Sequence, residues 1–171
     1  NRFILFAIAM ANSAKLFSYF QMPAERLASV IFTEVLMEKQ QFLEALCGLM
    51  AIESVAMTDP TPEMPYGTGP AKALAYVLDL CQDLGIRTVN RDGKVAWAEI
   101  GQGDELVGIL GHLDVVPVGD GWTHDPKGEI CGERLYGRGA IDDKGPTLAA
   151  LFAMKDVQDA GVPLKRPVRL I

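Results

Sequence analysis

Two apolar periods alternate along residues 37–171, and that alternation restricts the chain to an α/β layered domain with a mixed sheet. Spacings of three and four residues gather Phe42, Leu43, Leu46, Cys47 and Met50 on one helical face, in a helix that begins at Met37. Leu74, Val77, Leu78, Cys81 and Leu84 form a second face, opened by Pro70 in the first turn and closed by Gly85. Leu148, Leu151, Phe152 and Met154 form a third, from about Gly145 to Ala160, with Gly161 as its stop. Between these helices lie strand-like runs. Ile86 to Val89 and Lys94 to Ile100 flank the hairpin turn Asn90 to Gly93, and Leu106 to Asp114, Glu129 to Tyr136 and Val168 to Ile171 read as further strands. Pro60, Pro62 and Pro65 make residues 56–68 a loop. In such a domain the active edge lies where the strands end.

Chemistry-bearing residues concentrate at one such end. The run Leu106, Val107, Ile109, Leu110 reads as a buried strand that delivers Gly111, His112, Leu113 and Asp114 to its terminus. Because His112 and Asp114 are two apart, an extended backbone points both to one side, so the carboxylate can lie beside or behind the imidazole. A metal-bound histidine uses a partner of that kind on its other ring nitrogen. Thirty residues on, Gly137, Gly139 and Gly145 surround the adjacent carboxylates Asp142 and Asp143 at the start of the third helix. A divalent ion is the usual way to offset such local negative charge. Taken singly, the triplet also suits a hydrogen-bonded structural histidine, and the aspartates suit a helix cap.

Together, in this order, Gly111 to Pro117 and Tyr136 to Pro146 resemble the N-terminal part of the co-catalytic zinc metallopeptidases of the aminoacylase, acetylornithine deacetylase and carboxypeptidase G superfamily. The resemblance runs from about Pro65 to Ile171. Pro65 to Pro70, Gly121 to Thr123 with Asp125 and Pro126, and an Asp-Asp-Lys-Gly-Pro sequence at residues 142–146 are most similar to the dipeptidase branch, the Xaa-His or carnosinase-like enzymes. The resemblance implies a layered zinc-peptidase catalytic domain, cut off within these residues. It makes His112 a ligand of one metal and Asp142 the carboxylate bridging two, and gives Asp114 a catalytic part as the carboxylate that orients the histidine. It implies a cis peptide between Asp142 and Asp143, two divalent ions (zinc first, manganese second) and a dipeptide substrate cleaved by a metal-bridged water. The general base it implies is a glutamate of a Glu-Glu pair just beyond the strand that ends at Ile171; a further carboxylate ligand and a distant histidine are also outside the sequence. The chain alone is therefore expected to be catalytically silent. N-acyl amino acid deacylation, and a non-catalytic binding or assembly role on the same fold, are the alternatives.

Other residues take plainer readings. His124 reads as a surface turn residue, Trp97 as strand packing, and Trp122 as a cleft or turn residue. Arg138 neutralises the aspartates, Lys144 holds their loop by an ion pair, and Asp143 is held by local hydrogen bonds. A net charge of −6 supplies no basic stripe for nucleic acid and no polybasic membrane patch. Cys47, Cys81 and Cys131 have no metal spacing and read as reduced core residues of a cytoplasmic protein; oligomeric state is left open. Residues 1–36 form a separate extension. Its apolar run Phe3 to Ala11 is too short to span a bilayer, and suits a secretory-signal remnant, a helical extension, or sequence upstream of a translation start at Met37.

Overall fold

The three amphipathic stretches are helices in the computed structural model, which describes residues 38–171 with the exception of residue 162. Helix α1 covers residues 38–50, α2 covers Thr68–Asp83 and α3 covers Lys144–Asp159. The expectations placed on residues 1–36, and on Met37 as a start, lie outside the described residues. Helix α2 begins after Gly67, whose φ of 101° lies where a side chain would be strained, with Pro70 in its first turn. It ends in a left-handed Gly85: Ile86 N–H donates to Cys81 O (2.8 Å) and Gly85 N–H to Gln82 O (3.0 Å), which satisfies two of the last free carbonyls.

Strands β1 (Arg87–Arg91) and β2 (Val95–Ile100) form the expected hairpin, turning through Asp92 and Gly93, both at positive φ. Strand β3 is Val107–Ile109, and β4 (Glu129–Cys131) and β5 (Arg134–Tyr136) form a second hairpin; β6 is Val168–Leu170. The main sheet has the order β1-β2-β6-β3, with β2 and β6 antiparallel and β3 and β6 parallel, so it is mixed.

The sheet has two unlike faces because its side chains alternate. Ala98, Ile100 and Leu170 point into one core with Leu49 of α1, Val77 and Cys81 of α2, and Leu148 and Leu151 of α3. One residue out of step, Glu99 pairs with Arg87 and Arg169, and the Arg169 guanidinium lies 4.8 Å from the centre of the Trp97 ring. Trp97 thus packs on its strand, under Arg91 and Arg169. Phe42 and Phe152 meet edge to face, 5.4 Å between ring centres, and join α1 to α3.

Two strand expectations need correction. Glu129 to Tyr136 is a hairpin, not one strand: Gly132, at φ 61°, turns the chain between Cys131 and Arg134. The run Leu106 to Asp114 is regular strand only at Val107–Ile109, and it is not buried; Leu106, Val107 and Leu110 are exposed, Leu110 by 83%. The cause is position, since among the described residues β3 is the sheet's edge and is paired on one side only, by β6.

All three cysteines are free thiols, but only Cys81 is buried in the core; Cys47 is half-buried, and Cys131, expected in the core, is exposed at the end of the short strand β4. Burial pushes the Cys81 thiol up to about 11 from its ordinary 9.0. The folded state therefore holds this proton more tightly than the unfolded chain does. The associated stabilisation is complete below about pH 9 and is lost as pH rises through about 11, a loss on the order of 2 kcal/mol. Unfolding free energies measured from pH 8 to 11.5 should fall less steeply in Cys81→Ala than in the native sequence; parallel profiles would contradict this reading.

Candidate metal centre

The site is built where β3 and α3 meet. Beyond β3 the backbone stays extended: Ile171 N–H donates to Ile109 O and Gly111 N–H to Ile171 O, each at 2.9 Å. This carries His112 to the N-terminus of α3. There Asp143, the residue before the helix, accepts from His112 N–H and from Thr147 Oγ1, both at 3.2 Å through Oδ2. The arms approach so closely that a side chain on Gly111 would overlap Thr147 Oγ1. The Asp142–Asp143 peptide bond is cis.

Both ring nitrogens of His112 face oxygens. Nδ1 lies 3.1 Å from the backbone oxygen of Asp114 and 3.3 Å from its carboxylate, and Nε2 lies 3.1 Å from Asp142 Oδ1. Partial burial opposes charge on the ring, but the hydrogen bond to Asp142, that to Asp114 and the two negative charges outweigh it and raise the pKa above the ordinary value. A neutral imidazole carries one proton. With Nδ1–H donating to Asp114, the Nε2 lone pair is set against a carboxylate that also only accepts. Either a second proton or a cation resolves that opposition.

A divalent cation fits the two donors. An imidazole nitrogen and a carboxylate oxygen are ordinary zinc ligands, and two ligands each about 2.0 Å from a tetrahedral ion lie about 3.3 Å apart. That is close to the observed 3.1 Å. Among the described residues no group of three or more histidines, cysteines, aspartates and glutamates gathers as a complete set of ligands. His124 is elsewhere: it stacks on Tyr136 at 3.7 Å and its Nδ1 lies 3.1 Å from Glu129 Oε1.

Two neighbours do not do what their charge suggests. Arg138 donates to Val118 O (3.3 Å) and lies over the Trp122 ring, rather than pairing with an aspartate. Among the described residues Lys144 makes no ion pair. It is fully buried, and its ammonium donates to Leu49 O (3.0 Å) and Ile52 O (2.7 Å) at the end of α1. Burial pushes it down to about 8. Its partners are carbonyls because the last turn of a helix leaves acceptors free. Ser54, also fully buried, was not singled out by sequence; its hydroxyl donates to Leu113 O at 2.6 Å. A small polar residue in a non-periodic segment carries no pattern to mark it.

A cavity of about 360 Å³ lies between α2 and the sheet, bordered by Tyr66, Leu74, Trp97, His112 and Asp114. Asp142 does not line it, so it is not where a substrate would meet both donors.

The chain is similar to known peptidases and dipeptidases. The profile of Peptidase family M20/M25/M40 matches residues 108–171, which hold both arms of the site. "Putative dipeptidase YtjP" of Bacillus subtilis is 44% identical over 140 residues, covering 81% of this chain and 30% of that protein. A protein of the same description from Staphylococcus haemolyticus is 40% identical over 133 residues, covering 77% and 28%. Human carnosine dipeptidase 1 superposes with a TM-score of 0.65 at 28% identity, over 81% of this chain and 32% of that one. The Saccharomyces cerevisiae di-peptidase Dug1p, at 20% identity and a TM-score of 0.63 over 81% and 33%, shares the fold. The chain spans about 30% of the length of the curated relatives it matches. In sequence profile, relatives and fold alike, the chain is similar to peptidase family M20/M25/M40, whose profile it matches over residues 108–171.

Proposed function

We propose that the whole protein is a metal-dependent dipeptidase, and that residues 37–171 are the N-terminal part of its catalytic domain. The observation that carries the reading is the approach of His112 Nε2 to Asp142 Oδ1 at 3.1 Å, an imidazole nitrogen and a carboxylate oxygen that one cation could share. His112 is assigned as a ligand of one ion and Asp142 as the carboxylate shared by two, with zinc as the first choice and manganese as the second. When bound, such a pair of ions polarises a scissile carbonyl and makes a water nucleophilic at neutral pH.

The chain's own residues prepare that site. Asp114 holds the proton of His112 on Nδ1 through its backbone oxygen and carboxylate, and so turns the Nε2 lone pair outward. Asp143 fixes the backbone of His112 and, through Thr147, the first turn of α3. The base that takes the water's proton is assigned to a glutamate outside these 171 residues. A cytoplasmic location accords with three free cysteines, and among the described residues no helix is long and apolar enough to cross a membrane.

The test is hydrolysis by the purified full-length protein after chelation and again after zinc or manganese is restored. Dipeptides should be cleaved only with metal, and faster than N-acyl amino acids. Preference for the N-acyl substrates would favour a deacylase. Tight metal binding without turnover of either class would favour a non-catalytic relative.

A further inference from the structure

The two arms of the site touch each other through few contacts, yet both are tied to a third segment that no motif marks. Residues 49–55, which leave α1, receive Lys144 Nζ on the carbonyls of Leu49 and Ile52. The same segment reaches the histidine arm: Ser54 Oγ donates to Leu113 O at 2.6 Å, Val115 N–H donates to Ser54 O at 3.0 Å, and Val55 bridges Val115. Leu113 lies between His112 and Asp114, and Lys144 lies two residues after Asp142. Helix α2 closes over the segment, since a side chain on Gly69 would overlap Glu53 O.

From this we infer that Ser54 is a positioning residue for the metal centre. Its hydroxyl holds the peptide of Leu113 and so fixes how the imidazole of His112 is aimed at Asp142. Ser54 is fully buried and Leu113 only partly so, and a carbonyl shielded from water that loses its donor is left at a cost. Without Ser54 Oγ, Leu113 O must rotate toward water or another donor, and such a rotation moves the two residues it joins to His112 and Asp114. Ser54 touches neither substrate nor metal; it acts through the backbone. The inference rests on the assignment of His112 and Asp142 as ligands.

Zinc affinity, measured by competition titration on the full-length protein, tests it, with the unfolding temperature of the metal-free form measured alongside. Ser54→Ala should weaken zinc binding on the order of 10-fold, as loss of a ligand's support does. Ser54→Cys, which keeps the size and a weak donor, should recover part of that loss. Leu151→Val serves as the control. It thins the same core away from the arms, and should lower the metal-free unfolding temperature while leaving zinc affinity unchanged. Native affinity in Ser54→Ala, or an equal loss in Leu151→Val, overturns the role of Ser54 and leaves the metal assignment standing. Absence of zinc binding by the native protein overturns both.

Discussion

Asp142→Asn should abolish hydrolysis in the full-length protein whatever metal is supplied, while Asp114→Asn should keep measurable turnover at raised metal concentration. The two substitutions are chemically identical and lie two and thirty residues from His112, so the contrast isolates position. Asp142 is the oxygen donor opposite Nε2, with its side chain 87% exposed and free to engage a second ion. Replacing it with a neutral amide removes the negative charge proposed to hold two cations together, and the site should empty. Asp114 meets only Nδ1, and does so twice, through its backbone oxygen at 3.1 Å and its carboxylate at 3.3 Å. The substitution leaves the backbone contact intact. The expected cost is therefore that of losing an outer partner, about 10- to 100-fold in metal affinity or activity. Metal content and rate, followed together across a titration of both variants, decide the matter. Two metals and a near-native rate in Asp142→Asn, or equal loss in both variants, would remove the distinction between them.

Gly145→Ala should damage stability and site at once, although alanine is ordinarily the better helix residue. Gly145 is the second residue of α3, and an added Cβ would overlap the carbonyl oxygen of Ala140. Both partners are backbone, so no side chain can swing aside. The loop from Gly139 to Asp142 must move away, breaking the bond from Gly145 N–H to Gly139 O (3.0 Å). Overpacking of this kind costs about 1–3 kcal/mol. Because the displaced loop carries Asp142, zinc affinity should fall as well. Denaturant unfolding and metal titration of the full-length variant read the two effects separately, and native values in both would show that the loop accommodates the methyl group without strain.

What the sequence revealed depended on whether a residue acts through a repeating pattern or through a single contact. Helix α2 was legible from end to end because Pro70, the apolar register and Gly85 each act locally. The β1–β2 hairpin was legible because Asp92 and Gly93 favour positive φ. Cys131 to Arg134 carries a similar signal in Gly132, but the strand-like residues on either side concealed the turn. Leu106, Val107 and Leu110 are exposed because, among the described residues, β3 is paired on one side only, which the apolar run itself does not encode. His112, Asp114 and Asp142 were singled out from spacing and resemblance, and the fold brings their side chains close together. Lys144 was noticed for its charge, but its partners are backbone carbonyls 92 and 95 positions away, which no local pattern encodes. Ser54 was missed for the same reason, its partner being 59 residues distant.

Whether His112 and Asp142 share a metal ion is tested most directly by a crystal structure of the zinc-loaded full-length protein, with anomalous data collected at the zinc edge. The predicted result is two anomalous peaks about 3.5–4 Å apart, one within bonding distance of His112 Nε2, with the Asp142 carboxylate between them and Asp114 bound to neither. Zinc bound away from His112, or an Asp142 carboxylate directed into solvent beside an occupied site, would contradict it.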